Sequence, residues 1–227
     1  MTNNKKFDYY LNLAVTTGKN LADEIRKRNS SAIAPRTAAA MCVMPVYEKG
    51  LVSLLSYTAE NVDTELRYVP VKANYIDAYF MRIASQAGGS PKNVITLTTD
   101  SNYCWARFLA CKELMHSYFY DTEEVVADAM TSSFSDLETL IEEILLRAQE
   151  ANTAKPQTYV DYAAYSAAIE YLIPSDTLPL LAAILDAVAD LDEGAGYSSV
   201  ARLIRVPEVL VKARLDDYRA KPVSAAD

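Results

Sequence analysis

Residues Cys104–Tyr120 read CWARFLACKELMHSYFY, and their apolar side chains recur at helical spacing. Successive residues of an α-helix advance by about 100°, so one sector of this helix forms an almost continuous apolar face. The residues of that sector are Trp105, Phe108, Leu109, Lys112, His116 and Phe119. The sequence therefore predicts a core helix with a lysine and a histidine on its apolar face.

The centre of this segment differs from a zinc-binding pattern at one position. In a His-Glu-x-x-His helix, two imidazoles one turn apart bind Zn²⁺ and the glutamate between them acts as general base. The corresponding residues here are Lys112-Glu113-Leu114-Met115-His116. Because a charged ammonium has three donors and no acceptor, Lys112 cannot ligate a metal while it is protonated. His116 is the only histidine of the chain, so the chain contains no second imidazole.

Two interpretations of Lys112 follow from its position on an apolar face. In the first, its methylene stem packs along that face, its ammonium reaches water, and His116 is a hydrogen-bonded core histidine. In the second, the ammonium replaces the charge of a lost metal and is buried among carboxylates, since an unpaired buried charge is costly. The nearest carboxylates by motif position are Glu113 and Asp161. The second interpretation predicts Lys112 within ion-pair distance of one of them.

Composition narrows the class of protein. The chain has 227 residues, of which 51% are hydrophobic, and this is enough for a substantial core. Its net charge of −8 and pI near 4.8 argue against nonspecific nucleic-acid binding. Three widely spaced cysteines, Cys42, Cys104 and Cys111, form no C-x-x-C pair and indicate reduced thiols. With no signal peptide and no run of membrane-spanning length, the expected location is the cytoplasm.

The pattern of apolar residues predicts a small sheet between helical regions. Helical spacing predicts a first helix over Phe7–Arg28, followed by a loop, and Gly88-Gly89 is interpreted as a turn. Four β-leaning segments are Leu51–Ser56, Leu66–Val71, Ala78–Ile83 and Val94–Thr98. Five further helices are predicted over Ser135–Ala148, Thr158–Ile173, Ser175–Leu191, Ser198–Ile204 and Pro207–Tyr218, before a tail at Ala220–Asp227. The expected fold is α+β and predominantly helical, with the sheet packed beside the lysine-bearing helix and a helical C-terminal half.

Three segments carry a resemblance to a known family. They are Asn93–Leu97 with Arg107–His116, then Asp161–Pro174, and finally Ser199–Leu215. They resemble three segments of the ImmA/IrrE zinc metallopeptidases, in the same order. The first is similar to that family's strand and R-F-x-x-A-H-E-x-x-H helix. The second is similar to its E-x-E-A-N-x-F-A-A-x-L-L-M-P segment, and the third to its closing L-A-x-x-F-x-V-S-x-x-x-V-x-x-R-L stretch. The resemblance implies a zincin-like core over residues 93–219. Residues 1–92 then form an N-terminal helix and β-rich region of unknown role, and residues 220–227 form a tail.

The resemblance also implies three zinc ligands, two of which are missing or displaced here. The first ligand position is occupied by Lys112 and the third by Ala163, and the only acid near the third is Asp161. Glu113 is then a vestigial general base, His116 a vestigial ligand and Asp161 a displaced ligand. We therefore expect no zinc and no other cofactor.

Three functions are consistent with these residues. The first is an inactive metallopeptidase-like protein that binds a protein partner without cutting it. Members of this family recognise helix-turn-helix repressors, so the implied partner is a repressor or a host regulator of a phage or other mobile element. The second is an active metal-dependent peptidase with unusual ligation, in which His116 and Asp161 bind zinc together with water. The third is a DNA-binding regulator, in which Ser198–Tyr218 forms a helix-turn-helix with Arg202, Arg205, Lys212 and Arg214 facing phosphates. The acidic balance of the chain argues against the third, and no membrane partner is expected.

Overall fold

The computed structural model describes residues 3–30, 54–70, 78–83, 91–99, 102–119, 130–132, 156–189 and 196–220. The helices are α1 (Asn3–Ser30), α2 (residues 54–59), α3 (Tyr103–Phe119), α4 (Pro156–Leu172), α5 (Leu178–Ala189), α6 (Gly196–Ile204) and α7 (Glu208–Ala220), and the 3-10 turn Ser175–Thr177 joins α4 to α5. The strands are β1 (Asp63–Val69), β2 (Ala78–Ile83), β3 (Lys92–Thr98) and β4 (Met130–Ser132). The fold is α+β and predominantly helical, as predicted.

The strands form one mixed sheet in the order β1-β3-β2-β4. The central strand β3 pairs in parallel with β1 and antiparallel with β2, and β4 adds antiparallel to the outer edge of β2. Val94, Ile95 and Leu97 of β3 are all buried, so this strand is covered on both faces. The predicted strands Leu66–Val71, Ala78–Ile83 and Val94–Thr98 are thus confirmed as β1, β2 and β3, with shifted ends for β1 and β3.

The predicted strand Leu51–Ser56 is wrong where the structure describes it, because residues 54–59 form α2. Leu54 is buried, and Thr58 one turn later donates its hydroxyl to the Leu54 carbonyl at 2.8 Å. The Thr58 hydroxyl also lies 2.8 Å from the hydroxyl of Tyr118, which ties α2 to α3. Periodicity alone cannot assign a short apolar run to strand or helix. Here the packing against α3 is consistent with the helix.

The predicted helices outside the key segment are confirmed wherever the structure describes them. Phe7–Arg28 lies within α1, and the segments predicted over Thr158–Ile173, Ser175–Leu191, Ser198–Ile204 and Pro207–Tyr218 are observed as α4, α5 with its preceding 3-10 turn, α6 and α7. Two predictions lie outside the described residues: the helix Ser135–Ala148 and the turn at Gly88-Gly89. The loop predicted from Asn29 and the tail predicted from Ala220 are wrong at their first residues, because α1 continues to Ser30 and α7 to Ala220, and the rest of both lies outside the described residues. The placement of Cys42 also lies outside them.

Helix α3 is enclosed on both sides. It packs against β2 and β3, where the Asn93 side-chain amide donates to Ser117 Oγ at 3.0 Å. It also packs against α4, which in turn packs against α1. Every residue from Arg107 to His116 is buried as a result. This stretch of α3 therefore has no solvent-exposed polar face, and its four charged or polar side chains are buried.

Small residues let α1 and α4 approach closely. A Cβ atom added at Gly18 of α1 would lie 2.5 Å from the Ala167 carbonyl oxygen and 2.9 Å from Glu170 Cβ. The first distance is to backbone, which cannot move aside as a side chain would, so glycine is required at this contact. Ala163, Ala164 and Ala167 of α4 are all buried. The close packing of these helices sets the position of α4 against α3.

A buried carboxylate fixes the chain after α4. Glu170 accepts hydrogen bonds from the Ser175 backbone N–H and hydroxyl, each at 2.8 Å, and from the guanidinium of Arg214 in α7. Arg26 of α1 donates two hydrogen bonds to Asp176, at 2.8 and 3.0 Å. These contacts bring α1, the 3-10 turn and α7 together at the C-terminal end of α4.

The turn between α6 and α7 rests on α3. Arg205 has a φ of 55°, and the Val206 N–H donates to the Ala201 carbonyl at 3.2 Å, which is the pattern of a Schellman C-cap. The buried guanidinium of Arg107 in α3 donates to the carbonyls of Ile204 and Arg205, at 2.8 and 2.9 Å. Arg107 therefore satisfies carbonyl groups that the end of α6 leaves without helical partners.

One described helical stretch, Val160–Ala189, is long and apolar enough to cross a membrane, whereas none was predicted from the sequence. A core helix of a soluble protein passes the same test of length and composition. Here the stretch is divided by Pro174 and the 3-10 turn, and it contains Glu170 paired with Arg214. The length and composition of this stretch are therefore weak evidence for a membrane span.

Candidate functional site

Four polar side chains meet where α3 faces α4. Lys112, Glu113 and His116 come from buried positions of α3, and Asp161 comes from the first turns of α4. A lysine and a histidine four residues apart lie on one side of a helix, which places both opposite Asp161. We call these four residues the buried cluster.

The ammonium of Lys112 lies between two carboxylates. Its Nζ is 3.2 Å from Glu113 Oε1 and 3.2 Å from Asp161 Oδ1. The Lys112 side chain is 1% exposed, whereas the side chain of Asp161 is 34% exposed and forms the solvent-facing edge of the buried cluster. The predicted pairing of Lys112 with Glu113 or Asp161 is thus confirmed for both. The alternative in which the ammonium extends to water is wrong.

His116 completes the buried cluster. Its Nε2 lies 3.3 Å from Asp161 Oδ1 and 3.6 Å from Glu113 Oε2, and its ring stacks on Phe80 of β2 at 5.6 Å between centroids. Both ring nitrogens are buried, and neither has a hydrogen-bond partner of good geometry among the described residues, so the Nε2 contacts are ion-pair distances. His116 therefore contacts the same carboxylates as Lys112.

The opposite charges of Lys112 and Asp161 favour each other's ionised form. Burial alone would raise the pKa of Asp161, but the nearby Lys112 ammonium and His116 lower it by a larger amount. The pKa therefore lies well below its usual range. Burial alone would lower the pKa of Lys112, but Asp161 and Glu113 raise it by a larger amount, so the pKa lies above its usual range.

The ionisation of these two groups makes the stability of the fold depend on pH. The Asp161 contribution to stability is present above the pKa of an unfolded aspartate and is lost as pH falls. The Lys112 contribution is present below the pKa of an unfolded lysine and lost as pH rises. Both groups are charged at neutral pH.

The buried cluster does not fit a zinc ion. Zinc lies about 2.0–2.3 Å from its nitrogen, oxygen and sulfur ligands and usually has at least three of them from the protein. Here the space between the two carboxylates is occupied by a cationic nitrogen that has no lone pair to offer. Among the described residues, no group of three His, Cys, Asp or Glu side chains is arranged to bind a metal ion. The positive charge at this position is supplied by Lys112.

The structure separates the two candidate acidic positions of α4. Asp161 faces Lys112, whereas Ala163 is two residues further on, which is about 200° around the helix. Ala163 is buried one turn before Ala167, whose carbonyl faces Gly18 of α1. The buried cluster therefore draws its acid from position 161, and Ala163 lies on the side of α4 that faces α1.

The four cations predicted near α6 and α7 have different environments. Arg214 is engaged with Glu170 and Ser175. Arg202, Arg205 and Lys212 are exposed. Sequence reasoning missed Arg107 and Glu170 as the residues that anchor this region. The only available signal was a charged residue inside an otherwise apolar helix, at position 107 in α3 and position 170 in α4.

The three segments of the resemblance come together at α3. Arg107–His116 lies within α3, Asp161–Pro174 includes most of α4, and Ser199–Leu215 covers most of α6 and α7, which Arg107 contacts. No protein-family model matches the chain, and no curated protein matches it.

Proposed function

We propose that this protein is a catalytically inactive relative of the ImmA/IrrE metallopeptidases that acts in the cytoplasm by binding a protein partner. The observation that supports the loss of activity is the place of Lys112. Its ammonium lies among Glu113, His116 and Asp161, where a metallopeptidase would need an ion. The positive charge that a metal ion would supply to these side chains is supplied by the ammonium of Lys112. An ammonium cannot act as the Lewis acid that activates water.

Glu113 cannot act as a peptidase base in this environment. Its side chain is fully buried, and Oε1 accepts a hydrogen bond from Lys112. A general base must reach the proton that it removes, directly or through one water. Since the carboxylate is enclosed and already paired with a cation, its role is to stabilise the core. The chemistry that remains to such a protein is recognition of a partner through its surface.

The partner class that we propose is a helix-turn-helix repressor, or a host regulator of a phage or other mobile element. This proposal rests on the order of three sequence segments, and the order of β3 followed by α3 is consistent with it. The cytoplasmic location rests on the unpaired cysteine pattern, with Cys104 and Cys111 both free thiols.

A histidine in place of Lys112 tests the assignment of the position. We expect Lys112→His to bind zinc with a Kd roughly 100-fold lower than that of the natural protein. A structural zinc site supplies on the order of 10–16 kcal/mol, so that one ligand contributes about 3 kcal/mol. The added imidazole would join His116 and Asp161, and zinc binding would raise Tm. Calorimetric titration and thermal unfolding with and without zinc measure both effects.

The matched control is Lys112→His combined with His116→Ala, which removes a ligand while keeping the new one. This double variant should lose the gain in zinc affinity. Adding Ala163→Glu to Lys112→His should give no further gain, because position 163 faces away from the buried cluster. If Lys112→His folds and binds zinc no better than the natural protein, position 112 is not a ligand position.

A further inference from the structure

A groove lies on the surface between the N-terminal end of α3 and the α6–α7 pair. Its volume is about 850 Å³. Its lining includes Tyr103, Trp105, Arg202, Val209 and Lys212. None of them belongs to the buried cluster, so the groove is a separate feature of the molecule.

Three cations lie together at the groove. Arg202 and Lys212 line the groove. The Arg205 guanidinium lies over the ring of Tyr103, another lining residue, 5.9 Å from the ring centroid. Within the described part of the chain these three cations form no ion pair, although Glu208 also lines the groove. By contrast, several cations on other described surfaces contact carboxylates, among them Arg26, Arg28, Arg67, Lys92, Arg214 and Arg219. On a chain of net charge −8, this local excess is a site that attracts acidic groups.

Apolar side chains accompany these cations. Tyr103 is 60% exposed and Leu203, next to Arg202 on α6, is 49% exposed. Trp105 is partly buried in the groove, where it stacks edge-on against Phe108. Aromatic and arginine side chains are enriched at the contact surfaces of proteins, whereas isolated exposed apolar residues are ordinary. The combination at one groove therefore favours a ligand with both acidic and apolar groups.

The walls of the groove are fixed from inside the molecule. Arg107 binds the carbonyls of Ile204 and Arg205, and the Schellman pattern at Val206 sets the angle between α6 and α7. Arg214, two residues after Lys212, anchors α7 to Glu170. A surface that is already ordered pays little conformational entropy on binding.

We infer that this groove is the partner-binding site and that it binds an acidic peptide segment of the partner with an aromatic or aliphatic anchor. In this arrangement the carboxylates of the peptide pair with Arg202, Arg205 and Lys212, and its apolar side chain packs on Tyr103 and Trp105. Charge complementarity selects this occupant over a basic one, because a basic segment would meet like charges. The inference rests on the proposed function and adds the location and chemistry of the contact.

Selection from a displayed library of random dodecapeptides on the purified full-length protein tests the inference. We expect the recovered peptides to be rich in Asp and Glu and to share a Leu, Ile, Phe or Trp. Labelled synthetic copies should bind the natural protein and lose at least about tenfold in affinity with Lys212→Glu or Arg202→Glu. Lys19→Glu is the matched control, since it makes the same charge change on the exposed surface of α1 and should alter the affinity less than about twofold.

The thiol of Cys104 gives a second readout, because it lines the groove and is partly exposed. Bound peptide should slow its alkylation by iodoacetamide, measured on the proteolytic fragment that contains it. Burial raises the pKa of Cys111 to about 12, so that thiol should stay unmodified in both samples. Unchanged alkylation of Cys104 by a peptide that binds would place the peptide elsewhere and overturn the inference.

Four other outcomes would overturn it: no peptide above background, peptides without acidic residues, affinity unaffected by the two groove variants, or tighter binding of short duplex DNA that the same variants abolish. Self-association of the natural protein that Lys212→Glu abolishes would assign the groove to a second copy. Failure of this inference is distinguishable from failure of the proposed function. A zinc gain in Lys112→His with no peptide binding rejects the groove alone, whereas tight zinc in the natural protein rejects the inactive-relative proposal whatever the peptides do.

Discussion

Replacing Lys112 with methionine should lower the free energy of unfolding by about 3–5 kcal/mol, because it leaves a buried carboxylate without its cation. Glu113 is fully buried and Lys112 Nζ is 3.2 Å from its Oε1. Methionine fills a similar volume, so the cost reports the lost charge more than a lost packing contact. Urea unfolding followed by circular dichroism, compared at equal m-values, measures the change.

Two variants control this prediction. Lys212→Met makes the same substitution on the exposed face of α7 and should cost less than about 0.5 kcal/mol. Lys112→Met combined with Glu113→Gln removes the buried carboxylate charge as well and should regain a large part of the loss, because replacing a whole buried pair is often near neutral. A cost for Lys112→Met no larger than that for Lys212→Met would mean that the ammonium is solvated in solution.

Arg107→Met should cost about 3 kcal/mol of folding stability. Two hydrogen bonds join Arg107 to the carbonyls of Ile204 and Arg205, and the truncated side chain would leave these acceptors at the buried end of α6. Each buried polar group left without a partner costs roughly 1–3 kcal/mol. Because these carbonyls close the turn, the loss should also increase hydrogen exchange in α6 and α7 before global unfolding.

Arg202→Met is the control for Arg107→Met, since Arg202 is an exposed arginine on α6 that forms no ion pair within the described ranges. It should change stability by less than about 0.5 kcal/mol. Faster exchange spread evenly over the whole molecule, with no preference for α6 and α7, would contradict the anchoring role of Arg107.

Local pattern was sufficient to predict most of the described fold. Val94–Thr98 is β-branched and apolar, and it is the central strand because neighbours cover both of its faces. Pro174 and Ser175 marked the break between α4 and α5. Leu51–Ser56 could not be assigned from its apolar run alone, and the helix over residues 54–59 is seen to make a tertiary contact through Thr58 and Tyr118. Tertiary contacts of that kind have no local signature.

The site was partly predictable. An ammonium on an apolar helix face requires a partner, and motif position indicates Glu113 and Asp161, which both lie 3.2 Å from Lys112 Nζ. The rotation of α4 was not predictable, because the small residues at Gly18 and Ala167 determine how α1 and α4 approach. That rotation decides that position 161 faces the buried cluster and position 163 does not. The groove was missed for a similar reason, since it joins the start of α3 to α6 and α7, about a hundred residues later.

The central claim is that the charge of Lys112 stands where a metallopeptidase would hold its ion. Elemental analysis of the natural protein, purified without chelators and dialysed against buffer containing zinc and then against metal-free buffer, tests it most directly. The account predicts zinc far below one equivalent per chain. One equivalent of zinc that survives dialysis, and that His116→Ala removes, would contradict it.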